Sequence, residues 1–192
     1  MKDKANFKDF AVARLVSRPK AQDGMVLGGV FEAVCTGPDG KVKWHEKVHN
    51  LVTTQGVAHV LNALLHGSTQ ITTWYVVPFE SDHTPAAGNT YATPGYTEWA
   101  AYDEANRQAY NEAEASGGSI TNSANKAAYT ADDTKTLYGA ALVGGGTDAD
   151  TTSDTAGGGT LLCLARFTAS RGVADGDTLE VTYTFSAADD GV

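Results

Sequence analysis

The chain has 192 residues, and its 14 lysines and arginines stand against 23 aspartates and glutamates, a formal charge of −9. That length suits one domain, and 42% hydrophobic residues suffice for a buried core, which excludes wholesale disorder. Two cysteines are too few for a disulfide scaffold, no apolar run approaches the roughly 18 residues of a membrane helix, and an acidic chain is a poor ligand for a nucleic-acid backbone.

The charge is unevenly placed. Residues 1–25 hold six bases (Lys2, Lys4, Lys8, Arg14, Arg18, Lys20) and three acids (Asp3, Asp9, Asp23), a sum of +3, which leaves −12 for residues 26–192. The organisation expected is a basic N-terminal arm over 1–25, without the apolar core of a secretory leader, followed by one β-rich domain over 26–192. The arm reads either as a solvated terminus or as a docking segment. Phe7, Phe10, Val12, Leu15 and Val16 give it apolar anchors that a solvated tail does not need. A basic arm would also be drawn to an acidic copy of the same body, an attraction that salt weakens.

Residues 25–35 are apolar and β-rich. Thr36-Gly37-Pro38-Asp39-Gly40 is a turn signal, because proline presets φ and glycine accepts a positive φ. Val42, Trp44, Glu46 and Val48 then alternate on one face, so 25–48 reads as a hairpin. The period changes next: Val57, Val60, Leu61, Leu64 and Leu65 recur at helical spacing after Thr53 or Thr54 as N-cap and before Gly67 as left-handed stop, predicting a helix at about 54–66. Residues 72–79 predict a strand, with Pro78 at an edge or bulge. Residues 81–95 read as irregular, and the helix formers of 97–114 allow a helix there, although Trp99, Tyr102 and Tyr110 form no clean stripe. Strands are expected at 125–130, 134–143, 159–169 and 177–186. In the last of these Leu179, Val181, Tyr183 and Phe185 face one way and Glu180, Thr182 and Thr184 the other. Residues 144–159 form a Gly/Thr/Asp/Ser loop with no apolar side chain larger than alanine, expected to be flexible and outside any core. The sum predicts a mainly β fold: an antiparallel β-sandwich or jelly-roll-like domain with one short helix and an extended N-terminal arm.

Residues with possible chemistry do not assemble into a reactive set. His45-Glu46-Lys47-Val48-His49 has the order of a zinc-protease motif, but it lies in strand-like sequence where two histidines four apart do not converge. Asp148, Asp150 and Asp154 lack the central glycine and closing glutamate of a calcium loop. The glycine triplets 144–146 and 157–159 lack the lysine of a phosphate loop. Cys35 and Cys163 sit in apolar strands as small buried hydrophobes. Trp44, Trp74 and Trp99 read first as core packing, although Trp99 flanked by Glu98 and Glu104 keeps open a carbohydrate-binding module or glycan-active enzyme. No metal, cofactor or catalytic residue is assigned.

Several stretches in order resemble a family of small structural proteins from tailed-phage virions. They are His49-Asn50-Leu51-Val52-Thr53-Thr54-Gln55-Gly56 with Leu61-Asn62, Trp74-Tyr75-Val76, Tyr91-Ala92-Thr93, Tyr96-Thr97-Glu98-Trp99 and Tyr102-Asp103-Glu104 with Arg107. Leu137-Tyr138-Gly139-Ala140, Gly159-Thr160-Leu161-Leu162 and Asp177-Thr178-Leu179-Glu180-Val181-Thr182-Tyr183 complete the set. The resemblance covers about three quarters of the chain and departs from the family at Val77-Pro78, where a glycine is usual. It implies a non-enzymatic virion component. The first expectation is a capsid cement or decoration protein on the outside of the head that bridges subunits of the major capsid protein and associates with itself as a dimer or trimer. A tail or neck accessory protein is the alternative. The contacts expected are Lys4, Phe7, Phe10, Arg14, Leu15 and Arg18 in the arm, and Tyr96, Trp99, Tyr102 and Arg107 in the aromatic segment 91–110, with no part for nucleic acid or membrane.

Overall fold

A computed structural model describes residues 24–189. The elements follow in the order β1 (Met25–Thr36), β2 (Val42–His49), β3 (Leu51–Val52), α1 (Thr54–Leu65), β4 (Trp74–Phe79) and β5 (Gln108–Ala109), then β6 (Ser119–Thr121), β7 (Ala127–Thr130), β8 (Lys135–Gly144), β9 (Thr160–Val173) and β10 (Thr178–Asp189). The arm residues Lys4, Phe7, Phe10, Arg14, Leu15 and Arg18 lie outside the described residues.

The strands form two five-stranded antiparallel sheets, as the alternating patterns predict. One runs β2-β1-β10-β6 with β7 also on β10, and the other runs β3-β9-β8-β4-β5. The expected β1–β2 hairpin is present, and its turn places Gly40 at φ 76°. β1 and β10 pair over their whole length, from Met25 opposite Asp189 to Thr36 opposite Thr178. Pro78 pairs with β8 and lies past the last β5 pairing at Val76, at an edge covered by residues 97–99, where its carbonyl accepts from Trp99 N–H.

The two sheets differ in what covers them. On β10, Leu179, Val181 and Tyr183 are buried while Glu180, Thr182 and Thr184 are not, so the first sheet is buried on one face only. The second sheet is buried on both. Val76, Ala140 and Leu142 face the core shared with the first sheet, where Phe31 stacks on Tyr183 with centroids 4.2 Å apart. Val77, Ala141, Val143, Leu161 and Leu164 face a second, outer cluster with Tyr91 and Ala149. Two buried faces explain why β4, β8 and β9 read as continuous apolar runs rather than alternations. A register shift opposite Leu142 and Val143 lets both Leu162 and Cys163 face the shared core.

Two expectations are corrected. Residues 97–114 are not helical: they form an extended cover strung along sheet edges, with Trp99 N–H on Pro78 O at 3.0 Å, Asp103 N–H on Thr130 O at 2.9 Å and Tyr110 N–H on Trp74 O at 2.7 Å. Residues 144–159 do join a core, because Ala149 is buried in the outer cluster and the chain around it lies over the second sheet.

Candidate functional site

Two features stand out on this frame: a buried polar hub inside the outer cover and an apolar groove beside α1.

The hub is built on Arg107, whose side chain is 4% exposed. Its Nε donates to both oxygens of Glu98 (3.0 and 3.1 Å), and Nη2 donates to Glu98 Oε2 at 2.6 Å and to Asp154 O at 3.0 Å. Nη1 donates to Tyr91 Oη at 3.1 Å and Ala149 O at 2.9 Å. All five N–H groups of the guanidinium are therefore engaged. Burial opposes its charge, but Glu98 raises its pKa further above an already high value. Tyr91 Oη donates to Asp154 Oδ2 at 2.7 Å, Ser153 N–H donates to Glu98 Oε2 at 2.9 Å, and Arg107 N–H donates to Asp150 O at 2.8 Å. Burial and the Asp154 bond push the Tyr91 phenol up to about 12. Gln55 of α1 joins the hub to the sheet, its Oε1 accepting from Tyr91 N–H and Leu161 N–H, both at 2.9 Å. A cleft of about 230 Å³ lies over the hub. The hub clamps residues 91–107 to residues 149–154; every donor already has an intrachain acceptor.

This changes the standing of the aromatic segment. Trp99 is 0% exposed, Tyr102 is buried and donates to or accepts from Thr152 at 2.6 Å, and Arg107 is buried in the hub. Their expected role as intersubunit contacts is corrected: all three face inward, Trp99 and Tyr102 into the shared core and Arg107 onto Glu98. Tyr96 is half-buried and stacks on Phe79 at 4.7 Å. A sealed Trp99 is also unavailable to a sugar, so the glycan reading loses its main residue. Glu104 accepts from Thr130 N–H at 3.0 Å and serves as a backbone anchor.

The remaining residues of interest are separated. His45 faces outward with its Nε2 3.0 Å from Glu32, while Glu46 faces inward, accepting from Thr168 Oγ1 at 2.8 Å and pairing with Arg171. His49 sits four strand residues, roughly 13 Å, from His45. Asp148 accepts from Thr147, Asp150 from Asn106 and Asp154 from Tyr91. Among the described residues no three histidines, cysteines or carboxylates gather in a metal-binding group. Burial raises the thiol of Cys35 to about 11 and that of Cys163 to about 12, so both are inert hydrophobes, as their strands predict.

The groove is the feature that sequence reasoning missed. Helix α1 forms as its spacing predicts, with Thr53 as N-cap and Gly67 at φ 70° after its end. Its apolar stripe is spent on the core only as far as Val60, however. Gly56 is the helix's buried residue, while Leu61 is 45%, Leu64 69% and Leu65 83% exposed. Between α1 and the open end of the sandwich runs a cavity of about 340 Å³, lined by Val60, Ala63, Leu64, Ile71, Trp74 and Phe185 among others. His59 packs edge-on against Trp74 at 5.5 Å, and Glu112 is an acidic group on the wall. The missed signal was the asymmetry of the stripe: Leu64-Leu65 comes one turn after the last residue that a short helix can press on the sheet.

Comparison with known proteins finds no matching family model and no similar curated protein.

Proposed function

We propose that this chain is a non-enzymatic structural component of a tailed-phage virion, and within that class a capsid cement or decoration protein that lies on the outside of the head and bridges major capsid subunits. The observation that carries this reading is the apolar end of α1, where the described residues leave Leu61, Leu64 and Leu65 exposed beside an apolar groove on an acidic chain. Clustered exposed leucines are costly in water and mark a contact surface. The ordered resemblance to small virion proteins supplies the kind of contact. Many of the residues carrying it do structural work: Gln55, Tyr91, Glu98 and Arg107 build the hub, and Gly56 lets α1 touch β9. An acidic body suits the outside of a DNA-filled shell, because it does not compete for the packaged polyanion. Modest interfaces repeated over a shell then add through avidity.

Cryo-electron microscopy of the particle that carries this chain tests the proposal. Copies over the whole shell, seated between capsid subunits with α1 at the contact, are expected. A few copies at one vertex would move the protein to the neck or tail, and absence from the particle would overturn the virion reading.

A further inference from the structure

We infer that the groove beside α1 receives residues 7–16 of the N-terminal arm of a second copy, in a head-to-tail contact. The inference rests on the assembly reading only in giving the arm a docking role.

The chemistry of the two partners matches. The groove is apolar, with Val60, Ala63, Leu64, Ile71, Trp74 and Phe185 on its walls, and its volume of about 340 Å³ is the size of a site for a few side chains. Residues 7–16 (Phe-Lys-Asp-Phe-Ala-Val-Ala-Arg-Leu-Val) present Phe7, Phe10, Val12, Leu15 and Val16, the densest apolar stretch outside the described residues. Arg14 lies within that stretch and Arg18 just beyond it, and Glu112 on the groove wall supplies an opposite charge. The arm as a whole carries +3 and the rest of the chain −12. Two bodies repel each other, and the arm is the part of one copy that the other attracts.

The place where the arm joins the body favours a neighbour's groove over its own. Phe185 on the groove wall is opposite Gly29 of β1, and β1 continues four residues further, to Met25 opposite Asp189. The described chain therefore runs roughly 13 Å past the groove before the arm begins, heading away from it. A neighbour's arm entering the groove also brings a second body over Leu61 and Leu65, which are exposed outside the groove wall. Because the arm and the groove are different surfaces, the contact is heterologous and closes into a ring when the rotation allows.

The test uses the purified full-length chain, without capsids, and reads mass by light scattering over a range of concentrations. Wild-type mass is expected to rise with concentration and to fall back when salt is raised from low to high. The arm variant F7S/F10S/L15S and the groove variant Leu64→Glu should each weaken association at least tenfold. Leu64 is exposed, so its variant folds, and unchanged amide-exchange protection across β1 and β10 verifies both. An equimolar mixture of the two variants should recover a dimer, since one intact arm then meets one intact groove. Association unaffected by either variant, or a wild type that stays monomeric throughout, overturns the inference. So does a monomer in which the arm variant exposes residues 59–74 to exchange, for then the groove holds its own arm. Assembly by this route in a chain that never decorates a head would leave the inference standing and overturn the capsid reading alone.

Discussion

Asp177 is nearly sealed from solvent, yet its carboxylate stays charged. Burial opposes the charge, but Lys43 Nζ at 2.5 Å and Ala174 N–H at 2.8 Å outweigh it, and Cys35 Sγ lies 3.7 Å away, so its pKa is held below the ordinary carboxylate range. Glu46 is alike: burial raises its pKa, and Thr168 and Arg171 lower it further. A carboxylate whose pKa is lower folded than unfolded stabilises the fold above its unfolded value, about 4, and that stabilisation is lost as pH falls through the folded value. The melting temperature is therefore expected to be flat from pH 7 to about 5 and to drop steeply below about pH 4. Asp177→Asn should start lower at neutral pH and show a shallower acid slope; a variant with the wild-type slope would remove Asp177 from the account. Such roles were hidden in the sequence. Asp177 reads as one more acid at the start of the last strand, because Lys43 and Cys35 reach it from more than 130 positions away.

Helix α1 was legible as a helix and illegible as a surface. Its spacing and cap residues determine the element locally, and Thr53 does cap it: Oγ1 accepts from Gly56 N–H at 2.9 Å and donates to Leu161 O at 2.5 Å. What spacing cannot tell is which turn touches the sheet. Contact is made at Gly56, where an added Cβ would run into the Leu162 carbonyl. The first turn thus carries the stability and the last turn carries little. Thr53→Ala is expected to cost about 1–2 kcal/mol, Gly56→Ala to cost more because backbone must move, and Leu64→Glu to stay within about 0.5 kcal/mol of wild type. Urea denaturation ranks the three. A costly Leu64→Glu would mean that the end of α1 is packed in solution. The non-helical segment 97–114 shows the opposite failure. Its Glu and Ala residues favour a helix, but Trp99, Tyr102 and Tyr110 have no common helical face, and extension lets them enter the core one after another. Burial of three large aromatics outweighs a few tenths of a kcal/mol of propensity per residue.

At the scale of the whole molecule, the sandwich could be read from alternation in β10 and from the turn-bounded runs of β4, β8 and β9. The third layer could not. Composition marks residues 144–159 as solvated loop, and the links that pin it come from distant residues: Arg107 to the carbonyls of Ala149 and Asp154, Tyr91 to Asp154 and Tyr102 to Thr152, which no local pattern announces. Arg107 therefore sets the stability of the cover as a unit. In Arg107→Ala, Glu98 keeps its charge in a buried site with its cation gone, at a cost of about 3–5 kcal/mol. Arg107→Lys restores the charge, but three donors on a point ammonium cannot reproduce a five-donor fork, so it should recover only part of the loss. The loss should also be local. The hub's hydrogen bonds to β9 and α1 run through Gln55, and Tyr91 packs on Leu161 and Leu164 in the outer cluster, while β1 and β10 pair along their length without it. Amide exchange in Arg107→Ala is expected to accelerate across residues 91–107 and 147–157 and to stay slow across β1 and β10, the signature of a layer opening on an intact sandwich. Uniform acceleration over the whole chain would mean instead that the cover and both sheets unfold as one cooperative body.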